Sequence, residues 1–362
     1  MGLRIMKQKS LPIGVDLGTS HLKMAQLRRS DSGLELLAAG STEIPYEVRS
    51  DLTRRLDFLS RKIRSILRSD GFRGRQAVLS LPAAAIFLQP VKVPIGRTSE
   101  IDEAVRNELV GKLPYPMEQA VTRHILAGIV YVDGKEMQER IVVAISRPEL
   151  LAHLSMARGA GLDVVGVNIE ACAIVECFAR LFRREAEQAS KTLFIDIGSA
   201  STQVVLTHGP KLVFARNLAV GGQTQDQAVA EALHIPVEQA HLIGLKLLHG
   251  QKDPAAEDEL FRLLNAKIAE IADEITHCLR YCESSFRHHA IDRVIFVGGQ
   301  AHNRRLCQSI AERLNLPAQI GDPMAGVKRA KDARGPIGLD ERRPQPSWAV
   351  AVGLSLGAVL AA

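Results

Sequence analysis

Ile13-Gly-Val-Asp-Leu-Gly-Thr-Ser20 and Leu193-Phe-Ile-Asp-Ile-Gly-Ser-Ala200 spell nearly the same pattern twice. In each, an apolar run leads to Asp, one further apolar residue, Gly and a hydroxyl residue. The run suits a buried strand. The Gly suits a tight turn over which backbone approaches a ligand closely. Asp16 and Asp196 thus stand at two strand-to-turn junctions, one in each half of the chain. Two such turns facing each other predict a cleft for a phosphate chain and its magnesium. Backbone N–H groups would cradle the phosphates, and the two carboxylates would hold the metal's waters.

The flanking residues support the pairing. His21-Leu-Lys-Met-Ala-Gln-Leu27 follows the first turn. Ser201-Thr-Gln-Val-Val-Leu206 and Lys211-Leu-Val-Phe-Ala-Arg216 follow the second. Both read as strands, so strand, turn, strand occurs twice. A third element, Arg293-Val-Ile-Phe-Val-Gly-Gly-Gln300, is a strand ending in paired glycines before a helix from about Asn303. A Gly pair there lets backbone pass beneath a base or ribose.

With 362 residues the chain has room for two or more domains and an ample core. Aromatics are only 4%, but aliphatics are abundant. The formal charge is +6, and residues 1–75 account for it, with 15 Lys/Arg against 8 Asp/Glu. Two readings fit this excess: a solvated basic face, or apposition to an anionic membrane surface. Nucleic acid is not an expected partner, because no zinc-finger, homeodomain or RNP signature occurs and few aromatics are available for stacking. The five Cys (172, 177, 278, 282, 307) and the lack of a signal peptide fit a reducing cytoplasm. Cys278 and Cys282 lie one helical turn apart near His277, His288 and His289. Two ligands on one helix do not make a four-ligand metal site. No run of about 20 apolar residues occurs to span a bilayer. Met1–Ser10 is basic but lacks the apolar core of a secretory signal. Ala349–Ala362 reads as a buried closing helix, since it has no basic polar face to lie on a membrane.

Strands are expected at about 11–17, 21–29 and 34–44. An amphipathic helix follows over 51–69, with Leu52, Leu56, Leu59, Ile63 and Ile66 on one face. Arg54, Arg55, Arg61, Lys62 and Arg68 decorate its other faces, and Gly71 lies past its end. Strands follow at 76–81 and 86–93. From about Pro94 to Gly161 the texture is that of a small inserted unit. Its first helix runs from Thr98 or Ser99 to Lys112 and is stopped by Leu113-Pro-Tyr-Pro116. A hairpin (122–132, 138–145) turns at Asp133-Gly134, and a helix opens at Ser146-Arg-Pro-Glu149. A strand at 164–167 and a helix over 169–187 return to the first core. Helices are expected over 236–249 and 257–288, and residues 322–347 read as a surface loop.

In this order the pieces resemble the actin-like ATPase superfamily, which includes actin, DnaK-type chaperones, sugar kinases and FtsA. More closely they resemble the PilM family of type IV pilus assembly proteins. The family-specific matches are Gly111-Lys-Leu-Pro-Tyr-Pro-Met-Glu-Gln-Ala-Val121, Ile141-Val-Val-Ala-Ile-Ser-Arg-Pro-Glu-Leu-Leu151 and Ala160-Gly-Leu-Asp-Val-Val-Gly-Val-Asn-Ile-Glu170. The resemblance implies an α/β, actin-like (ribonuclease H-like) two-domain fold with a small inserted α+β subdomain. It assigns 11–93 and 164–190 to the first subdomain, 94–163 to the insertion, 191–222 and 291–362 to the second subdomain, and 223–290 to a helical one.

The resemblance also implies ATP and magnesium as cofactors, with weak Mg-ATPase activity at most. Asp16 and Asp196 would hold the metal through water. Gly18, Thr19, Ser20 and Lys23 would face the phosphates from one side, and Gly198, Ser199 and Ser201 from the other. Gly221 and Gly222 join the set, as do Gly298, Gly299 and Gln300 in the adenosine motif. Glu170 matches the catalytic water-positioning place, while a helix N-terminal Glu favoured by the dipole is the alternative reading. Lys23 reads equally as an exposed strand residue. Two positions depart from the superfamily: the adenosine motif continues Gln300-Ala-His-Asn303, and Ala240-His-Leu-Ile-Gly244 lacks the purine-contacting Glu and Lys. The implied role is a cytoplasmic scaffold, peripheral at the inner face of the cytoplasmic membrane. It would bind the N-terminal cytoplasmic peptide of a PilN-like bitopic membrane protein, other pilus inner-membrane components and further copies of itself. An FtsA-like polymerising protein and a sugar or carboxylate kinase are the alternatives.

Overall fold

The computed structural model describes residues 10–31, 33–182, 184–249, 253–285, 291–333, 339–340 and 342–357. The basic N-terminal stretch Met1–Lys9, His288 and His289, and the last five residues lie outside these. In chain order the elements are β1 (Ser10–Leu17), β2 (His21–Ser30), β3 (Gly33–Glu43), α1 (Leu52–Ser69), β4 (Gln76–Ser80), β5 (Phe87–Pro94), α2 (Thr98–Leu109), β6 (Ala120–Val132), β7 (Lys135–Ser146), α3 (Arg147–Gly159), β8 (Asp163–Asn168), α4 (Glu170–Phe178) and α5 (Glu185–Gln188). There follow β9 (Lys191–Ile197), β10 (Thr202–His208), β11 (Lys211–Leu218), α6 (Gly222–Leu233), α7 (Val237–His249), α8 (Pro254–Ser285), β12 (Arg293–Val297), α9 (Arg304–Leu314), β13 (Ala318–Ile320), β14 (Lys328–Arg329) and α10 (Ala349–Ser355). The chain divides into two compact units. One comprises residues 1–82, 150–180 and 322–362, the other 83–149 and 181–321.

The first unit is built on a sheet of order β14-β3-β2-β1-β4-β8. β1, β2 and β3 form an antiparallel meander, and β4 and β8 run parallel to β1's direction. Ile13, Val15 and Leu17 are fully buried, as a central strand covered on both faces requires. α1 turns Leu59, Ile63, Ile66 and Leu67 inward. Its N-terminus is capped by Asp51, whose Oδ1 accepts from Arg54 N at 3.0 Å. Gly71 (φ +79°) takes the left-handed position just beyond its end.

α10 seals this sheet. A Cβ at Gly14 would lie 2.0 Å from Ala351 O, and one at Gly353 only 1.8 Å from Ala173 O of α4. The backbones of β1, α10 and α4 therefore touch at positions where only glycine fits. Ser355 Oγ donates to Pro12 O (2.8 Å) and accepts from Leu27 N (2.9 Å), satisfying backbone groups left free where both strands shift register. The sequence reading assigns residues 322–362 to the second subdomain. The structure instead packs the described part of this segment on the first sheet, because the receiving glycines and the free backbone groups lie in β1, β2 and α4. The segment leading to α10 is anchored there as well. β14 pairs with β3, and the Asp332 carboxylate receives both Arg28 (3.0 Å) and Arg73 (2.9 Å). These guanidinium hydrogen bonds pull its pKa down to about 2.

The second unit repeats the plan. Its sheet has order β11-β10-β9-β12-β13, with an antiparallel meander β9-β10-β11 and with β12 and β13 parallel to β9. β9 is buried along its whole length. α8 lays Leu260, Leu264, Ile268, Ile271 and Ile275 into this unit's core at helical spacing.

A three-stranded antiparallel sheet, β5-β7-β6, completes the unit, with α2 packed on it. β5 belongs to this sheet rather than to the first one, because Val91 and Val93 close a small core with Ile101, Val105, Leu109 and Val142. α3, read in sequence as part of the insertion, lies in the first unit, where Arg64 Nη2 of α1 donates to Gly159 O at 2.7 Å. α2 ends at Leu109, short of the prolines, since Gly111 takes φ +72°. The helix expected over 169–187 stops at Phe178, a 3-10 turn follows, and the passage between units falls at Arg180. The small sheet docks on the second one through a buried polar link. Tyr281 Oη of α8 donates to Glu139 Oε1 of β7 at 2.8 Å, Lys92 Nζ lies 5.5 Å from the Tyr281 ring centroid, and Phe214 of β11 packs on that ring. Glu139 is fully buried, and desolvation raises its pKa.

Gly353→Ala should lower stability by about 2–3 kcal/mol, because backbone on both sides has no room to yield. Gly159→Ala, where a Cβ meets nothing within 4 Å, should change it by less than about 0.5 kcal/mol. Urea denaturation of the two variants checks this.

Candidate functional site

β1 delivers Asp16 to the end of the first sheet, and the cross-strand register surrounds it with polar groups. Lys23 stands opposite on β2 and Ser80 opposite on β4, with Asn168 of β8 beside Ser80. Ser80 Oγ donates to Asp16 Oδ1 at 3.3 Å. Burial raises the Asp16 pKa against the opposing pull of Lys23, Ser80, Arg55 and the Gly18 N–H. Gly18, Thr19 and Ser20 form the half-buried turn to β2. A Cβ on Gly18 would sit 2.9 Å from His21 O, so the turn is wound tightly. Glu170 opens α4, two residues beyond Asn168, and is half-buried. The first unit therefore brings Asp16, Gly18, Thr19, Ser20 and Lys23 together, with Glu170 following the strand at the sheet's edge.

Arg55 is the residue that sequence reading misplaced. The sequence pattern sets it among the cations on the outer faces of α1, yet it is 6% exposed. Its Nη2 donates to Leu17 O (2.9 Å) and Gly18 O (2.8 Å), clamping the turn after Asp16. The signal was present: Arg55 lies four and eight residues before Leu59 and Ile63, on the buried stripe of the helix.

In the second unit Asp196 occupies the matching place on β9. Gln203 stands opposite on β10, seven residues on, as Lys23 is from Asp16. Gln203 Nε2 donates to Asn217 Oδ1 at 2.7 Å. The turn after Asp196 closes by Gly198 N donating to Ser201 O (2.9 Å). The N-terminus of α6 then binds this turn directly: Gly222 N donates to Gly198 O (3.0 Å) and Gln223 N to Ser199 O (2.7 Å). Thr224 Oγ1 ties back to Gly221 O at 2.7 Å. Gly221 is enclosed, since a Cβ there would lie 2.8 Å from both Ser199 O and Ser201 N.

The third glycine motif arrives at the same place. Val297 pairs with Asp196 across β12 and β9. Gly298 has φ +91°, and a Cβ on it would fall 2.2 Å from Asp196 Oδ1. A Cβ on Gly222 would meet the Gln300 side chain at 2.4 Å, while Gly299 faces open space. The unit thus gathers Asp196, Gly198, Ser199, Ser201, Gly221, Gly222, Gly298, Gly299 and Gln300 into one cradle. Glycines hold backbone close to a carboxylate there, the surroundings an anionic ligand with a cation uses. On the sequence stretch 240–244, His241 Nδ1 pairs with Asp226 Oδ2 at 2.8 Å.

Comparison with known proteins agrees with this architecture. A sequence profile described as type IV pilus assembly protein PilM matches residues 14–359. Cell division protein FtsA of Bacillus subtilis is 23% identical over 282 residues, covering 71% of this chain and 62% of FtsA, so the match spans less than two thirds of that relative. FtsA of Enterococcus hirae is 24% identical over 322 residues, covering 77% of this chain and 71% of that one. Among solved structures, a chain titled as a PilM-PilN type IV pilus biogenesis complex superposes with a TM-score of 0.78 at 23% identity, covering 97% of this chain and 99% of that one. The ethanolamine utilization protein EutJ of Carboxydothermus hydrogenoformans superposes at 0.56 with 16% identity, covering 97% and 90%. At these identities the likeness is one of fold, and that fold is the actin-like two-domain architecture.

The folded-state pKa of Asp16 lies above its unfolded value. Its protonation therefore favours folding at low pH, and that contribution is lost as pH rises through the folded value. Asp16→Asn should raise stability at pH 7 by about 1 kcal/mol, with the gain shrinking toward pH 4. Urea titrations at the two pH values measure it.

Proposed function

The chain belongs to the PilM family of type IV pilus assembly proteins, and from that premise we propose that it is a Mg-ATP-binding scaffold of pilus, or related secretion, assembly at the inner face of the cytoplasmic membrane. Its partner in this reading is the N-terminal cytoplasmic peptide of a PilN-like bitopic membrane protein. The family match over residues 14–359 and the PilM fold carry the scaffold half of the proposal. The glycine-lined cradle at Asp196 carries the nucleotide half.

In this reading Asp16 and Asp196 hold magnesium through its waters, and the metal neutralises phosphate charge. Gly18, Thr19, Ser20 and Lys23 serve the phosphates from the first unit, with Arg55 keeping their turn in shape. Gly198, Ser199 and Ser201 serve them from the second. Gly298 and Gly299 leave room for the nucleoside, and Glu170 is placed to orient a water. A divalent cation there would offset the burial that raises the Asp16 pKa. Nucleotide then acts by shifting the population of conformations that bind the peptide, with weak turnover at most.

The similarity to FtsA favours a second reading, a protein that polymerises on a membrane with nucleotide. Sedimentation with Mg-ATP and lipid separates the two, since only the second yields nucleotide-dependent filaments.

Saturating Mg-ATP should raise the melting temperature of the wild type, the gain at 100-fold excess over Kd being about 2.7 kcal/mol. Gly298→Ala, which drives a methyl into the Asp196 carboxylate, should abolish the shift. A wild type whose melting temperature does not move with millimolar Mg-ATP removes the nucleotide half. Failure of a labelled PilN-type N-terminal peptide to change anisotropy on titration removes the other.

A further inference from the structure

We propose that the outer face of α1 is a docking surface for anionic phospholipid, and that it sets how the first unit meets the membrane. Between Leu52 and Ser69 the helix carries five outward cations, Arg54, Arg61, Lys62, Arg64 and Arg68, all exposed. The only acid in that span is Asp57, which Arg61 holds at 3.2 Å. Arg54, Arg61 and Arg68 are spaced by seven residues, so they form one straight row about 20 Å long. Arg64 flanks the row, and a shallow depression of about 480 Å³ opens between Arg61, Arg64, Ser65, Arg68 and Ser69. Lys62 lies over the Phe58 ring at 5.5 Å, which keeps its stem along apolar surface.

The long helix α8 carries its charge differently. Two of its three Lys/Arg are paired within the helix, Arg262 with Glu259 and Lys267 with Glu270, and Asp258 receives Arg305 of α9. The basic groups buried under the first sheet are matched too, Arg28 by Glu35 and Asp332. Among the described residues no carboxylate pairs with Arg54, Lys62 or Arg68. A row of cations on a convex helix suits a plane of negative headgroups. It offers no groove for a nucleic-acid strand to follow and no exposed aromatic on which bases stack. Each basic residue near an anionic leaflet strengthens binding by roughly 1 kcal/mol, and such attraction fades within a Debye length.

The test is sedimentation of the full chain with vesicles of phosphatidylcholine alone or with about a third phosphatidylglycerol. Wild type should partition to the anionic vesicles only, and release at about 0.5 M salt. The triple variant Arg54→Glu, Arg61→Glu, Arg68→Glu should lose more than about 100-fold in partition. A control with the same net charge, Lys211→Glu, Arg262→Glu, Arg304→Glu, places its changes on exposed residues of the second unit and should stay within about twofold of wild type. Should the first triple melt lower than wild type, the same three positions changed to Gln should still lose on the order of 100-fold. Equal binding to neutral vesicles overturns the proposal, as does an equal loss in the control or displacement by a DNA oligonucleotide. Absence of wild-type binding to anionic vesicles does so too. Since the vesicles carry no protein, any of these leaves the peptide-binding reading untouched.

Discussion

Backbone meets backbone in this protein at positions without a side chain, and both units hang on those contacts. In the first unit, Gly14 and Gly353 let β1, α10 and α4 approach until a single methyl would sit within about 2 Å of a carbonyl oxygen. In the second, Gly221 and Gly298 do the same for α6, β12 and the turn after Asp196. Close approach of this kind trades chain entropy for packing that larger residues forbid. It also has a chemical result. In the second unit a carboxylate, that of Asp196, lies against the backbone of Gly298.

Charge is managed differently at the two turns. Asp16 lies in a row of polar partners, Lys23, Ser80 and Asn168, and the turn after it is held by Arg55 from behind. Asp196 has Gln203 at the place of Lys23 and Val297 at the place of Ser80. One half therefore brings a cation to its turn, and the other brings glycines and a helix N-terminus.

Polar links also decide which pieces travel together. Glu139 and Tyr281 join the inserted sheet to α8, although the chain enters and leaves that sheet from the first unit. Asp332 and Ser355 fasten the C-terminal segment to the first sheet, although it follows directly on the second. Where such a link is buried, as at Glu139 and Ser355, it contributes little net stability, but misdocking it strands an unsatisfied group.

Local patterns in the sequence determined much of this. The repeated Asp-x-Gly runs, the apolar stripe of α1, the Asp133-Gly134 hairpin and the paired glycines after β12 are short-range signals, set by steric and hydrophobic periodicity within a few residues. The strands, turns and helices around Asp16 and Asp196 followed from them, and the actin-like plan from the family that their order resembles. The tertiary structure alone decided where distant segments belong. β5 joined the inserted sheet, α3 and α10 returned to the first unit, and Arg55 turned inward to hold a turn nearly forty residues before it. These outcomes depend on which backbone groups remain unpaired and which glycines leave room once the sheets have formed, and no local run of residues carries that information.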